Sequence, residues 1–428
     1  MKALPVRHRI TGSNGGAARR LGAVARGAAR TLALAAALSA VLSACSSPPV
    51  PVPKVDEDAV ARYRAAGYPL PAALPIESNR IRGPVTEAPW TIGLTRPTDH
   101  LVHPLIVYLP SLGEDDTVPV RWIDSWARAG YAVLVIQALP DDADVWSTAE
   151  ARSGDFERIA RARFADELMA DRIAHLSRLL RQIRARSLRG EPGLDGLDWN
   201  HLVLAGADLG AYTVQTIATA GAAGLAASGW PLQPQAYLAI SPYALRAAPP
   251  ADAVAARAPT LMISARDDVD AYGVVSDIAI RHLAYDRLGA GDNYYLELAS
   301  ATHRWLGGAV VLTAPPESTP RQRPVAGDDA APGPGGRRQK PPSGRDDMAP
   351  QGEDEDTPAD RKARLASRIE QVQARSRALT QSALSVVSFE TVSIAFLDAT
   401  LRGNAAARTW LAEGASHWLQ DGDRLKHR

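Results

Sequence analysis

The sequence predicts an α/β protein with a mostly parallel central sheet covered by helices on both faces. Between about residue 100 and residue 310, short apolar runs alternate with amphipathic segments. The runs are apolar at successive positions rather than at every second one, the pattern of strands buried on both faces. A third observation places chemistry on this fold. GADLG at 206–210 closes one apolar run and opens a helical pattern with the spacing Gly-x-Asp-x-Gly. Such spacing marks a sharp strand-to-helix turn that presents a reactive side chain.

The elements follow in order. LIVYLP (105–110) is a buried strand, and VRWIDSWARAG (120–130) is an amphipathic helix ending at a glycine cap. YAVLVIQAL (131–139) is a second buried strand. Residues 156–186 form a long helical pattern that places Leu168, Ile173, Leu176, Leu180 and Ile183 on roughly one face. HLVLAG (201–206) is a strand, followed by a small-residue helix over 211–226. AYLAIS (236–241), PTLMIS (259–264) and NYYLEL (293–298) complete the strand set. Residues 314–360 are rich in Pro, Gly and charge, with almost no large apolar side chain. Such a segment buries too little surface to offset its chain entropy and is expected to be disordered. A helical pattern resumes near Asp360, and 388–419 reads as two helices separated near Gly403. No internal repeat is present.

The chain has 428 residues, 46% of them hydrophobic, and a formal net charge of +1. That balance offers no argument for nucleic acid. The first thirty residues are basic, and no acidic residue precedes Asp56. TLALAAALSAVLSAC (31–45) then gives an apolar run, too short for a membrane span, ending in small residues. Leu42-Ser43-Ala44-Cys45 resembles the lipobox of bacterial lipoproteins. That likeness implies cleavage before Cys45, lipidation of its thiol and anchoring in the cell envelope; Ser46 after it favours the outer membrane, facing the periplasm. Cys45 is the single cysteine of the chain, so an exported form has no internal disulfide. An ordinary signal peptide with a chance cysteine is the alternative. The domain plan is then a lipoprotein signal peptide (1–45), a Pro-rich tether (46–56), a core domain (57–313), the insert (314–360) and C-terminal helices completing the core (361–428).

In a parallel sheet, reactive groups gather beyond the carboxyl ends of the strands. Asp208 follows HLVLAG, Asp267, Asp268 and Asp270 follow PTLMIS, and His303 follows NYYLEL. The order nucleophile, acid, histidine, together with GADLGAYT, SARDDVDAY, ATHRW and AFLDATLRGNAAARTWL, resembles the α/β hydrolases. The nearest likeness is to the branch of dienelactone hydrolases and platelet-activating-factor acetylhydrolases. The resemblance covers roughly 100–310 and 388–412. It implies an α/β-hydrolase fold with Asp208 at the nucleophile elbow, Asp268 rather than Asp267 as the acid, and His303 as the base. By position the oxyanion donors are the backbone N–H groups of Leu112 and Leu209. Two departures stand out. Asp208 replaces the usual Ser or Cys, and Pro110-Ser111-Leu112-Gly113-Glu114 replaces His-Gly and small residues. Glu114, Asp115 and Asp116 beside that loop leave two readings open: a negative edge hostile to anions, or residues that simply face water.

An Asp attacking an ester carbonyl makes an anhydride, which collapses back readily. An Asp attacking a saturated carbon makes an alkyl ester that His303-activated water hydrolyses. This is the chemistry of haloalkane dehalogenases and epoxide hydrolases, which share the fold and the elbow Asp. It requires His303 within hydrogen-bond reach of both Asp208 and Asp268, with an apolar pocket above. Trp146 and Trp305 are candidate leaving-group donors. No conventional cap domain is expected, because 17 residues (242–258) separate the strands between which such a cap is inserted; residues 140–186 or the insert are left to cover the site. The function expected is hydrolysis of a small molecule through an Asp208–His303–Asp268 triad, by the alkyl-ester route or as a diverged esterase-type hydrolase, with no cofactor or metal. His100 and His103 flank a strand without a third ligand. Two alternatives stay open: a catalytically inactive binding or scaffold lipoprotein whose insert contacts an envelope protein partner, and a lyase in which Asp208 acts as base.

Overall fold

A computed structural model describes residues 52–81, 90–114, 121–141, 143–220, 229–243, 258–270, 272–273, 275, 277–308 and 357–428. The signal peptide with Cys45, most of the tether, Asp115, Asp116 and the insert through residue 356 lie outside the described residues. The chain divides into two compact units, Met1–Val52 with Glu355–Ile369, and Pro53–Asp354 with Glu370–Arg428. The described part of the first is the opening of the helix Pro358–Leu401. There the Asp360 carboxylate accepts from the Thr357 N–H and hydroxyl while the Thr357 hydroxyl oxygen accepts from Asp360 N–H. This is a reciprocal cap, with Pro358 in the first turn where its missing N–H costs nothing. The helix therefore starts inside the segment expected to be the insert.

Among the described residues the second unit contains nine strands. They are β1 (Ile76–Arg80), β2 (Trp90–Pro97), β3 (His103–Leu109), β4 (Ala132–Ala138), β5 (Leu197–Ala207), β6 (Ala236–Ile240), β7 (Thr260–Asp267), β8 (Asn293–Thr302) and β9 (Arg424–His427). They form one sheet in the order β1-β2-β4-β3-β5-β6-β7-β8-β9. Every pair from β4 through β8 is parallel, and the pairs β1/β2, β2/β4 and β8/β9 are antiparallel. The mostly parallel sheet agrees with the sequence. The three antiparallel pairs do not follow from it; the edge strands β1 and β9 are short and polar.

The helices are α1 (Glu57–Ala65), α2 (Arg121–Arg128), α3 (Ala149–Ser153), α4 (Phe156–Arg163), α5 (Asp166–Leu188), α6 (Leu209–Thr219), α7 (Ala279–Asp286), α8 (His303–Leu306), α9 (Pro358–Leu401), α10 (Ala405–Thr409) and α11 (Ala415–Trp418). A π-helical turn, Trp410–Gly414, joins the last two. The expected long helix over 156–186 is two helices, since Phe164 caps α4 before α5 starts. Leu168 is exposed, and Met169 takes the buried place beside Ile173, Leu176, Leu180 and Ile183.

Strand side chains alternate between two cores. Leu105, Val107 and Leu109 of β3 pack with α5 and α6 through Leu176, Leu180, Tyr212 and Ile217. Ile106 and Tyr108 face the opposite way, into a core with Trp122, Trp126, Phe389 and Phe396. Trp122 stacks on Phe389 with ring centroids 3.6 Å apart. Buried residues such as Val386, Val392 and Ala395 make this end of α9 a core element rather than a surface helix.

Chain order fixes where a ligand site can form. From β3 the chain crosses to β4 on one side, then returns past β3 to β5 on the other. Between β3 and β5 the crossover direction reverses, so the connections leaving their carboxyl ends diverge and open a crevice. Pro110–Glu114 and Asp208 lie at that point.

Candidate active site

The elbow is built by glycine at two positions. A Cβ on Gly210 would lie 1.9 Å from Leu109 O, and one on Gly206 would lie 2.5 Å from the Gly210 carbonyl carbon. Only hydrogen at both places lets α6 start directly against the end of β3. Between them Asp208 takes φ +50°, a strained value for a residue with a side chain. Its N–H donates to Ile240 O at 3.0 Å, which pins the turn to β6. The Asp208 side chain is buried, and its Oδ2 has no hydrogen-bond partner among the described residues.

The three strand-end residues converge. His303 Nδ1 donates to Asp268 Oδ1 at 2.7 Å. Its Nε2 faces Asp208 Oδ1 at 3.9 Å. The imidazole therefore reaches Asp268 but is not hydrogen-bonded to Asp208, in contrast to the expectation of contact with both. Asp268 is fully buried, whereas Asp267 is exposed. The Asp268 carboxylate also accepts from Ser241 Oγ at 3.0 Å and Ser264 Oγ at 2.8 Å. Asp270 instead shapes the following loop by accepting from the N–H groups of Tyr272 and Val275.

The electrostatics reflect the crowding. Burial raises the Asp208 carboxyl above its ordinary value, opposed by the positive charges of His303 and Arg281 and reinforced by Asp270 and Asp268. For His303, burial works to lower its basicity. The Asp268 hydrogen bond and the charges of Asp208 and Asp268 outweigh that, and the net shift is upward.

The loop after β3 also has a definite arrangement. Ser111 N–H donates to Glu114 Oε2 at 3.3 Å, and Gly113 N–H donates to Asp141 O at 2.8 Å. The Leu112 N–H is left without an acceptor among the described residues, and Leu209 N–H, in the first turn of α6, has none inside its helix. Both expected oxyanion donors are thus unspent. Tyr272 donates its hydroxyl to Leu112 O at 2.7 Å, and Trp146 stacks on Tyr272 with ring centroids 5.7 Å apart. Trp146 Nε1 donates to Gly113 O at 3.0 Å. That bond occupies its N–H, so Trp146 is a roof over the loop rather than a leaving-group donor. Trp146 lies within residues 140–186, one of the two segments expected to cover the site, and it covers the loop after β3. Trp305 is buried, and its Nε1 has no partner among the described residues. His103 holds Gly130 O at 3.1 Å and Asp99 at 2.7 Å, a structural role. Among the described residues no group of three or more His, Cys, Asp or Glu side chains could hold a metal. A cavity of about 660 Å³ lies elsewhere, lined by Arg64, Tyr68, Leu70, Arg121, Glu390 and neighbours, with none of the site residues.

Two residues escaped the sequence reading. Arg281 of α7 is fully buried behind His303 and Asp268. Glu114, expected either at a negative edge or facing water, is half-buried and turned inward. A Cβ on Gly307, just past α8, would lie 2.7 Å from its Oε1. Burial pushes the Glu114 carboxyl up to about 7; hydrogen bonds from Ser111 pull it down, the charge of Asp208 raises it, and His303 lowers it. The folded state thus binds this proton more tightly than the unfolded chain. Its stabilising contribution is present below the ordinary carboxylate range and is lost as pH rises through about 7. Glu114→Gln is expected to flatten the fall in melting temperature between about pH 5 and about pH 8. Melting curves of both proteins across that range check it, and identical slopes would count against a titrating Glu114. No family model matches the chain, and no curated protein matches it.

Proposed function

We propose that this protein is an α/β-hydrolase-fold enzyme that hydrolyses a small molecule at a saturated carbon, with Asp208 as nucleophile, His303 as base and Asp268 as its partner. The observation that carries the reading is the gathering of Asp208, Asp268 and His303 beyond the ends of β5, β7 and β8, with the imidazole bonded to Asp268 at 2.7 Å and its other nitrogen 3.9 Å from Asp208. A serine needs a hydrogen-bonded base to become a nucleophile, but an ionised carboxylate does not. His303 Nε2 is then left to hold water.

In the first step an Asp208 oxygen attacks the carbon bearing the leaving group. The new C–O bond forms as the old bond breaks, and the leaving group departs with its electron pair. In the second step His303 Nε2 takes a proton from water, whose oxygen attacks the Asp208 carboxyl carbon of the ester. Negative charge on the tetrahedral intermediate falls to the N–H groups of Leu112 and Leu209. Collapse expels the alcohol, which takes the imidazolium's proton, and the Asp208 carboxylic acid left behind releases its own proton to solvent, which restores the carboxylate. Asp268 stabilises the imidazolium in between. The strained elbow supports this reading, because an unfavourable backbone at a concave site is a recurrent mark of function. Anchoring to the cell envelope through lipidated Cys45 belongs to the same proposal and rests on the lipobox-like sequence.

A single turnover in ¹⁸O-water with a panel of haloalkanes and epoxides tests the mechanism. The product oxygen is expected to be unlabelled, and the peptide carrying Asp208 is expected to gain one ¹⁸O. Label in the product and none in the peptide would show direct attack by water. One observation, the 3% exposure of Asp208, favours a second reading as a non-catalytic binding protein on the same fold, with the insert as contact segment. No turnover and no label from the whole panel is the outcome expected of that reading.

A further inference from the structure

Arg281 has no solvent exposure. Its guanidinium touches the carboxyl ends of three neighbouring strands. At the end of β6, Nη1 donates to Ser241 O at 2.7 Å and Pro242 O at 3.0 Å. At the end of β7, Nε donates to Asp268 O at 3.2 Å and lies 3.4 Å from Asp268 Oδ2. At the end of β8, Nη2 lies 3.2 Å from His303 Nδ1. Ser241 sits at φ +52°, strained for a residue with a side chain, and its hydroxyl donates to Asp268 Oδ1. The arginine therefore braces a strained turn as well as an ion pair.

A buried ion pair is costly, and replacing both partners by hydrophobic side chains of similar volume is often neutral or stabilising, although removing one partner alone is not. General stability is thus a poor reason for this choice, and the partners suggest a better one. We infer that Arg281 is a positioning residue of this site, holding the Asp268 carboxylate, the strained Ser241 turn and the His303 imidazole in one arrangement and setting a positive charge against that imidazole. The catalytic meaning rests on the proposed hydrolase reading; the positional and electrostatic claims do not.

The groups facing His303 are Asp208 from the elbow, Asp268 from the loop after β7, Glu114 from the loop after β3, and Arg281 from α7. Three are carboxylic acids and one is a cation. Carboxylates alone would hold the imidazole as imidazolium, which cannot take a proton from water. The charge of Arg281 opposes that protonation. The residue thus keeps the Asp268 contact while leaving the base able to work.

The test is a nuclear magnetic resonance titration of His303 in the full chain, its signal assigned by loss in His303→Gln. In Arg281→Met the His303 midpoint is expected to rise by about one pH unit. In Arg281→Lys, which keeps the charge, it is expected to stay near wild type. Lysine cannot reach both carbonyls and Asp268 together, so amide exchange at Ser241 is expected to quicken. A midpoint that is unmoved or lower in Arg281→Met overturns the inference. Should that variant fail to fold, the lysine variant decides. A shifted midpoint with unchanged Ser241 exchange overturns the inference, and an unshifted midpoint with faster exchange supports it. Absence of turnover in every protein, with the titration behaving as expected, would sink the hydrolase reading and leave Arg281 as a determinant of imidazole basicity.

Discussion

Replacing His303 with Gln is expected to stop the reaction halfway. The Asp208 carboxylate, needing no base, still displaces the leaving group and forms the alkyl ester. Water at the ester then lacks a proton acceptor, and the intermediate accumulates. Intact-protein mass spectrometry is expected to show the variant heavier by the substrate's alkyl group, and wild type unmodified at steady state. Turnover is expected to fall by at least about 10³-fold, in line with removal of a member of a catalytic unit. The route from structure to this outcome is short. Asp268 spends its hydrogen bond on Nδ1, and no other imidazole or amine appears among the described contacts of Asp208. A variant that turns over slowly without any adduct would show that Asp208 is not a nucleophile.

Gly210→Ala is expected to be the most damaging single methyl in the described structure. The added Cβ would lie 1.9 Å from Leu109 O and 2.8 Å from Pro110 O, and both are backbone atoms. Neither can step aside without moving the end of β3 and the loop beyond it. Helix α6 must then retreat from the sheet, opening contacts that Leu209 and Tyr212 make in the core. A loss of more than about 4 kcal/mol is expected, in the range reserved for gross overpacking. Urea denaturation of wild type and variant measures it. Gly403→Ala is the control, since nothing lies within 4 Å of the added carbon there, although its φ of +62° exacts a small strain. Near-equal stability of Gly210→Ala and wild type would mean that the elbow is not as tight as described.

How much of this could be read from the sequence follows from the kind of contact involved. Strands buried on both faces, such as AYLAI in β6, are apolar throughout and legible at once. IESNR in β1 is half-exposed and polar, so its pairing with β2 left no periodic trace. The elbow was legible because close backbone approach demands glycine at fixed spacing. Asp268 was separable from Asp267 only through the family resemblance, and the structure buries the first and exposes the second. Arg281 was not legible. On its helix it looks like any other arginine, and most of its partners are backbone carbonyls that no side-chain pattern announces. Glu114 was noticed for its charge, but its inward turn depends on Ser111 N–H and on the bare α-carbon of Gly307, two features that become neighbours only after folding.

The outer strands have a consequence for life at high local density. β1 ends one margin of the sheet with Glu77 and Arg80 along it, and β9 ends the other with Arg424, Lys426 and His427. Open sheet borders invite another molecule to add its own strand, and ionic side chains there make such docking unfavourable. The molecule is thereby guarded against stacking rim to rim into fibres, a protection that matters most where many copies crowd together.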